Sequence, residues 1–292
     1  RDLHSFPTRR SSDLEPAQLL LSSVAIAMLA GAANYFEKPV LLTWFNVSAI
    51  FYDPINAHLG LALLTYQLGY FNILPLYVVL MIAAPAIVLI YRFAPSVLLP
   101  LSSAIYLYVL VFDVAPHSWP TKGHWFLNPL SWQLLFILGF LLAGEDGVGG
   151  FARRHRKELL IAGIPIVIAG ALIMLFGWLP NPNFVPEPKL LFTAEKSNMT
   201  PIRLIQFLGL LAVFSYAYSY IARFAPPLTQ FLSRLGRNSL SVFCVASLLS
   251  LGFQIVRFVN TPNLALDTVI VVAGIAADRK STRLNSSHRT GS

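Results

Sequence analysis

Apolar residues dominate seven stretches of the chain, at 17–36, 73–93, 96–113, 126–143, 158–179, 201–223 and 238–258, and an eighth, shorter stretch at 264–277. Each of the seven has the roughly 17–25 residues that an α-helix needs to cross a bilayer. The pattern predicts an all-α fold, a polytopic transmembrane helix bundle with seven full spans and one truncated span. Pro75, Pro85, Pro100, Gly163, Pro165 and Gly209 fall inside these stretches. They would weaken a soluble helix, but neighbouring helices pack the kinks they cause in a membrane. Residues 55–69 are too short and too polar to span, and are expected to form a helix lying near one surface. No fixed-period repeat is visible, so an inverted-repeat transporter is not supported.

Composition agrees: 56% of the 292 residues are hydrophobic and 12% charged, against about 25% charged in soluble domains. One cysteine, Cys244, excludes an internal disulfide, and no Cys, His or carboxylate spacing matches a metal site, so no bound metal or cofactor is expected. The formal charge of +8 comes with no basic stripe or RNA-binding motif, so no nucleic-acid partner is expected. Residues 1–14 and 280–292 are polar, aperiodic and similar to translated sequencing-adapter read-through, and are set apart as non-native segments. The transmembrane domain is then 15–279, with a charge of +4, and is expected to be partial.

Lys and Arg divide unevenly between alternate connections. Residues 91–96, 144–157 and 223–237 hold Arg92, Arg153, Arg154, Arg156, Lys157, Arg223, Arg234 and Arg237, whereas the other connections hold Lys38, Lys122, Lys189 and Lys196. Eight against four places the first set in the cytoplasm. The run RRHRK at 153–157 reads as a topogenic signal, with a site for an anionic cofactor as the alternative.

Polar residues at the span ends carry the candidate chemistry. On the outer side, Asn128-Pro129 and Thr200-Pro201 each pair a capping residue with proline at the first helical position. Their helix N-termini attract anions. Asn72, Trp132, Gln133, Glu195, Lys196, Asn198, Arg203 and Gln206 lie at the outer span ends, as a substrate pathway or as interfacial residues with Trp in an aromatic belt and Arg snorkelling. On the inner side, Arg237, Asn238 and Ser239 open the last full span, as plain capping with positive-inside charge or as a phosphate site for a cytosolic donor. Cys244 reads as a small hydrophobe. His117 and His124, in the outer loop PHSWPTKGHWF, are the candidate bases, although no Ser/His/Asp spacing forms a triad.

The strings FNILPLYVVLM (71–81), WFLNPLSWQLLFILG (125–139), EKSNMTPIRLIQFLGL (195–210) and GRNSLSVFC (236–244) resemble, in order and spacing, signatures of the OpgC family within the wider acyltransferase-3 group. The resemblance covers roughly 17–260. It implies a multi-pass protein of the bacterial inner (cytoplasmic) membrane that transfers succinyl groups from acyl-CoA (succinyl-CoA) to hydroxyls of osmoregulated periplasmic glucans. The implied partners are the lipid bilayer, the glucan acceptor, the acyl-CoA donor and membrane proteins of glucan biosynthesis. Family members usually open with a first span bearing an Arg-Asp start and, further along, carry a base histidine; here Arg1-Asp2 lies in the adapter-like segment and is followed by nothing of that kind. They carry Asp where Glu195 stands and His where Gln206 stands. The expectation is therefore an OpgC-like fragment, inactive alone, in which Asn128, Gln133, Lys196, Asn198 and Arg203 line the site and Arg203 clamps a carboxylate. The competing class is a transporter or flippase of an anionic or acylated intermediate, with the same residues as an outer gate.

Overall fold

Six of the apolar stretches become long helices in the structure, a computed structural model that describes residues 8–69, 71–181, 183–237, 239–260 and 268. The α-helices among the described residues are α1 (Thr8–Tyr35), α2 (Val40–Trp44), α3 (Ala49–Tyr52), α4 (Pro54–Ala62), α5 (Ile73–Phe93), α6 (Pro95–Phe112), α7 (Pro129–Ala143), α8 (Gly147–Arg154), α9 (Arg156–Phe176), α10 (Pro201–Phe224), α11 (Pro226–Arg237) and α12 (Ser239–Val259). Six of them, α1 over Leu14–Tyr35 and the whole of α5, α6, α9, α10 and α12, are long and apolar enough to cross a membrane. The all-α bundle class is therefore as the pattern predicts. The short run 264–277 and Asn238 lie outside the described residues, Thr268 excepted.

Four elements differ from expectation, each for a local reason. The stretch 126–143 is helical only over the 15 residues of α7. Asn128 starts it, and at Gly144 the backbone turns extended; α8 then leaves at 69°, so the pair is a broken span or a re-entrant loop. Gly147 has φ +60, a left-handed conformation that costs glycine little. A Cβ on Gly149 would sit 2.2 Å from the Gly144 carbonyl oxygen, so the elbow needs a bare backbone there. The basic connection 144–157 is correspondingly mostly helix, with Arg153 and Arg154 in the last turn of α8. Residues 223–237 likewise contain α11 rather than a plain connection.

The surface helix expected at 55–69 is shorter, ending at Ala62. Asp53 starts it: its carboxylate accepts from the Asn56 N–H at 3.4 Å and the Asn56 amide at 2.7 Å, with Pro54 at the first position. Leu64 then adopts φ +66 and reverses the chain, so Tyr66 is fully buried. Thr65 exchanges bonds with Trp119, whose N–H donates to the Thr65 carbonyl at 3.1 Å while the Thr65 hydroxyl donates to the Trp119 carbonyl at 3.0 Å. Gly60 must be glycine for this docking, because a Cβ would meet the Trp119 carbonyl oxygen at 2.6 Å.

The chain divides into two units. The first holds Arg1–Val78, Ser118–Gly123 and Pro227–Ser292. Leu21, Ala25, Leu29 and Ala33, spaced by four on α1, form one buried stripe. The stripe packs in one core with Leu251 and Ile255 of α12 and with Leu41 and Phe45. Behind it the Tyr66 hydroxyl donates to the Asn46 carbonyl, and the Asn46 amide donates to the Gln67 carbonyl at 2.9 Å. Burial pushes the Tyr66 phenol up to about 12.

The second unit holds Val79–His117 and His124–Pro226. Here α6 packs on α7 through Tyr106, Leu110 and Leu134, and α9 packs on α10. The α9–α10 seam is built on small residues: a Cβ on Gly163 would approach the Gly209 carbonyl oxygen to 3.0 Å.

Candidate functional site

Residues 193–200, TAEKSNMT, connect the short 3₁₀ turn Lys189–Leu191 to α10, and the second unit holds this segment from three sides. From α7, the Asn128 N–H donates to the Ser197 carbonyl at 2.9 Å and the Trp132 indole N–H donates to the same oxygen at 3.1 Å. From α6, the Tyr106 hydroxyl donates to the Met199 carbonyl at 2.8 Å. From α10, Arg203 Nε donates to the Ala194 carbonyl at 2.9 Å. Met199 accepts φ +44 to make the turn, and Asn198, Met199 and Thr200 are buried beneath it. Glu195 and Lys196 remain exposed at the top. The result is a short, rigidly anchored polar hairpin whose charged tip faces outward.

Asn128 anchors the arrangement. It is fully buried; its Oδ1 caps α7 by accepting from the Leu130 N–H at 3.1 Å, and its amide donates to the Val114 carbonyl at 2.7 Å and to Asn198 Oδ1 at 2.9 Å. Both donors and the oxygen of this side chain are in use, so Asn128 fixes the wall of the site instead of presenting donors to a ligand, and Asn198 is tied to it through its Oδ1. Gln133 is engaged too: its Oε1 accepts from the Ser102 hydroxyl at 2.7 Å and its amide donates to the Ser102 carbonyl at 2.9 Å. Thr200, expected to cap α10, does not do so with its side chain; the hydroxyl reaches the Glu195 carbonyl at 3.5 Å. Pro201 still occupies the first position of α10.

Arg203 differs from these amides. Its Nε is bound, but among the described residues its terminal nitrogens have no hydrogen-bond partner and no carboxylate lies within ion-pair distance. It is half-buried. A guanidinium fixed by one edge with its fork unused can bind two oxygens of one carboxylate. Two buried polar atoms of the same unit, Thr193 Oγ1 and Trp125 Nε1, have no hydrogen-bond partner among the described residues and offer further donors. Neither was among the sequence candidates. The one signal for each is position, since Thr193 begins the hairpin and Trp125 opens the second family-like string.

Other candidates fall elsewhere. His117 and His124 meet across an isolated antiparallel bridge with ring centroids 4.6 Å apart, and both are exposed. Asn72 belongs to the first unit, where its carbonyl accepts from the Leu76 N–H at 3.4 Å. Gln206 lies against α9, filling the space over Gly170. Ser239 is exposed at the start of α12, and Arg237 closes α11.

Against known families, one whose description is OpgC protein matches the chain over residues 6–280. No curated protein and no solved structure matches it.

Proposed function

Since this chain belongs to the OpgC family, with a match over residues 6–280, we propose that it serves as a membrane acyltransferase of the bacterial inner membrane that transfers a succinyl or similar dicarboxylic acyl group from acyl-CoA to hydroxyls of periplasmic glucans. A glucan hydroxyl oxygen attacks the thioester carbonyl, the ester bond forms, and the thiolate leaves as the hydroxyl proton passes to a base. The residues of this chain act on binding and charge. The Arg203 fork holds the distal carboxylate of the acyl group, and Lys196 and the helix N-terminus at Pro201 add positive potential at the hairpin. Asn128, Trp132 and the Asn128–Asn198 pair keep that hairpin in place, and Gln133 ties α7 to α6 at Ser102. His117 and His124, whose rings meet at a tilt, are the base candidates that this chain offers.

The family match carries the reaction class, and the half-buried Arg203 with its unused fork carries the choice of a carboxylate-bearing acyl group. The test is glucan composition by mass spectrometry in cells that depend on a family member with an arginine at the position of Arg203. Replacing it with Ala removes succinylation while membrane levels of the protein stay unchanged. Glucan still succinylated at the wild-type level sinks the assignment.

A further inference from the structure

The elbow between α7 and α8 borders an open cavity of about 560 Å³ whose walls come from α7, α8, α9 and α10, all in the second unit. Leu138, Leu142, Phe151, Leu208 and Leu211 make it apolar, and the two charged groups on its lining are Arg153 and Arg156. Both guanidiniums are held by backbone carbonyls. Arg153 Nη2 donates to the Gly144 carbonyl at 2.6 Å, and Arg156 Nη2 donates to the Ser215 carbonyl and to the Tyr216 carbonyl at 3.2 Å, with its guanidinium 5.2 Å from the Tyr216 ring centre. Carbonyls fix a guanidinium without neutralising it. Neither arginine meets a carboxylate among the described residues, although Glu145, Asp146 and Glu158 are close in sequence. An apolar trough with two fixed positive charges on its lining, neither paired with a carboxylate among the described residues, is complementary to a molecule with a hydrocarbon chain and an anionic head.

We propose that this cavity binds an acidic phospholipid, with one acyl chain in the trough and the head-group phosphate on Arg153 and Arg156. Basic pockets between membrane helices hold anionic head groups by this combination. The arginines sit where α8 ends and α9 begins, at the side to which the Lys and Arg count assigns the cytoplasm, so the head group would lie at that surface. An acyl-CoA fits less well. Its adenine, ribose and pantetheine amides need donors and acceptors that an apolar wall does not supply, and a succinyl carboxylate would enter the trough unpaired. The proposal does not rest on the transferase reading: lipid binding and acyl transfer are measured separately.

Native mass spectrometry of the full chain in a non-ionic detergent, titrated with phosphatidylglycerol, phosphatidylcholine, succinyl-CoA or inorganic phosphate, tests it. The expected result is one phosphatidylglycerol retained per chain in preference to phosphatidylcholine. Arg153→Gln should weaken that binding by roughly fivefold, the effect of one basic group near a lipid surface. Arg156→Gln also loosens α9 from α10, so the second variant is Ala152→Trp, which fills the trough and leaves both arginines in place; it should abolish retention. Equal retention of phosphatidylcholine, or phosphatidylglycerol binding that survives both Arg153→Gln and Ala152→Trp, overturns the proposal. So does displacement of the lipid by stoichiometric succinyl-CoA, which would make the cavity a donor site, or by inorganic phosphate at equal concentration, which would reduce it to an anion site.

Discussion

Arg203, Arg153 and Arg156 share one solution to placing a guanidinium: backbone carbonyls of Ala194, Gly144, Ser215 and Tyr216 hold them, with no ion pair among the described residues. Such a group keeps its full charge and its geometry, which favours binding an outside anion over stabilising the fold. Arg203→Lys keeps the charge but loses the planar fork, so glucan succinylation should fall by an order of magnitude or more while the protein remains folded; unchanged succinylation would show that charge alone suffices. Asn128→Ala removes the α7 cap and leaves Asn198 Oδ1 without its donor, and should lower stability in detergent by roughly 2–4 kcal/mol, read from thermal unfolding. Tyr66 predicts an alkaline limit. Its phenol is raised from 10.0 to about 12 by burial, so its contribution is fully present below about pH 10 and is lost as pH rises through about 12. Tyr66→Phe should flatten the loss of thermal stability across that window. At this scale the sequence was a partial guide. Asn128 was legible as a cap because Asn-Pro before an apolar run has few other readings. That its amide would be consumed by Val114 and Asn198 was not, because those partners are set by tertiary packing.

Helices of the bundle owe their existence to apolar length and their spacing to small residues. At the α9–α10 seam, a Leu at Gly163 would drive a branched side chain into the Gly209 carbonyl and Val213. Gly163→Leu should therefore separate the two helices and expose sites along them to cleavage by added protease in detergent, whereas Leu at Gly139, which has open space around it, should leave cleavage unchanged. The stretch 126–143 ends where α7 ends, at Ala143, but α7 has only 15 residues; the extended Gly144 and the left-handed Gly147 then turn the chain into α8, a turn that the glycine-rich run GEDGVG at 144–149 signals. Similarly, α4 stops at Ala62 because Gly60 and Thr65 dock Trp119, a contact between residues about fifty positions apart that periodicity does not register. Long spans were legible for the opposite reason. Helix formation in lipid is local, and each long stretch satisfies its own backbone.

On the scale of the whole chain, the asymmetry of eight basic residues against four predicts sidedness. In a Cys244→Ala background, cysteine introduced at Lys122 should react with an impermeant maleimide in intact spheroplasts, and cysteine at Arg154 should react only after permeabilisation; the reverse pattern would invert the topology. The six long helices and the family match over 6–280 agree with a multi-pass membrane protein of the OpgC family. Sequence motifs made that family legible, since strings such as WFLNPLSWQLLFILG and EKSNMTPIRLIQFLGL contain the residues that the fold stitches together between α7, the hairpin and α10. Succinyl transfer in a purified system tests the acyl group and its acceptor most directly: the detergent-solubilised full-length gene product, incubated with labelled succinyl-CoA and unmodified glucan, should release free CoA and place the label in ester linkage on the glucan, and the Arg203→Ala form should not. Label left on CoA by a folded, lipid-supplemented wild-type protein would contradict the acyltransferase account.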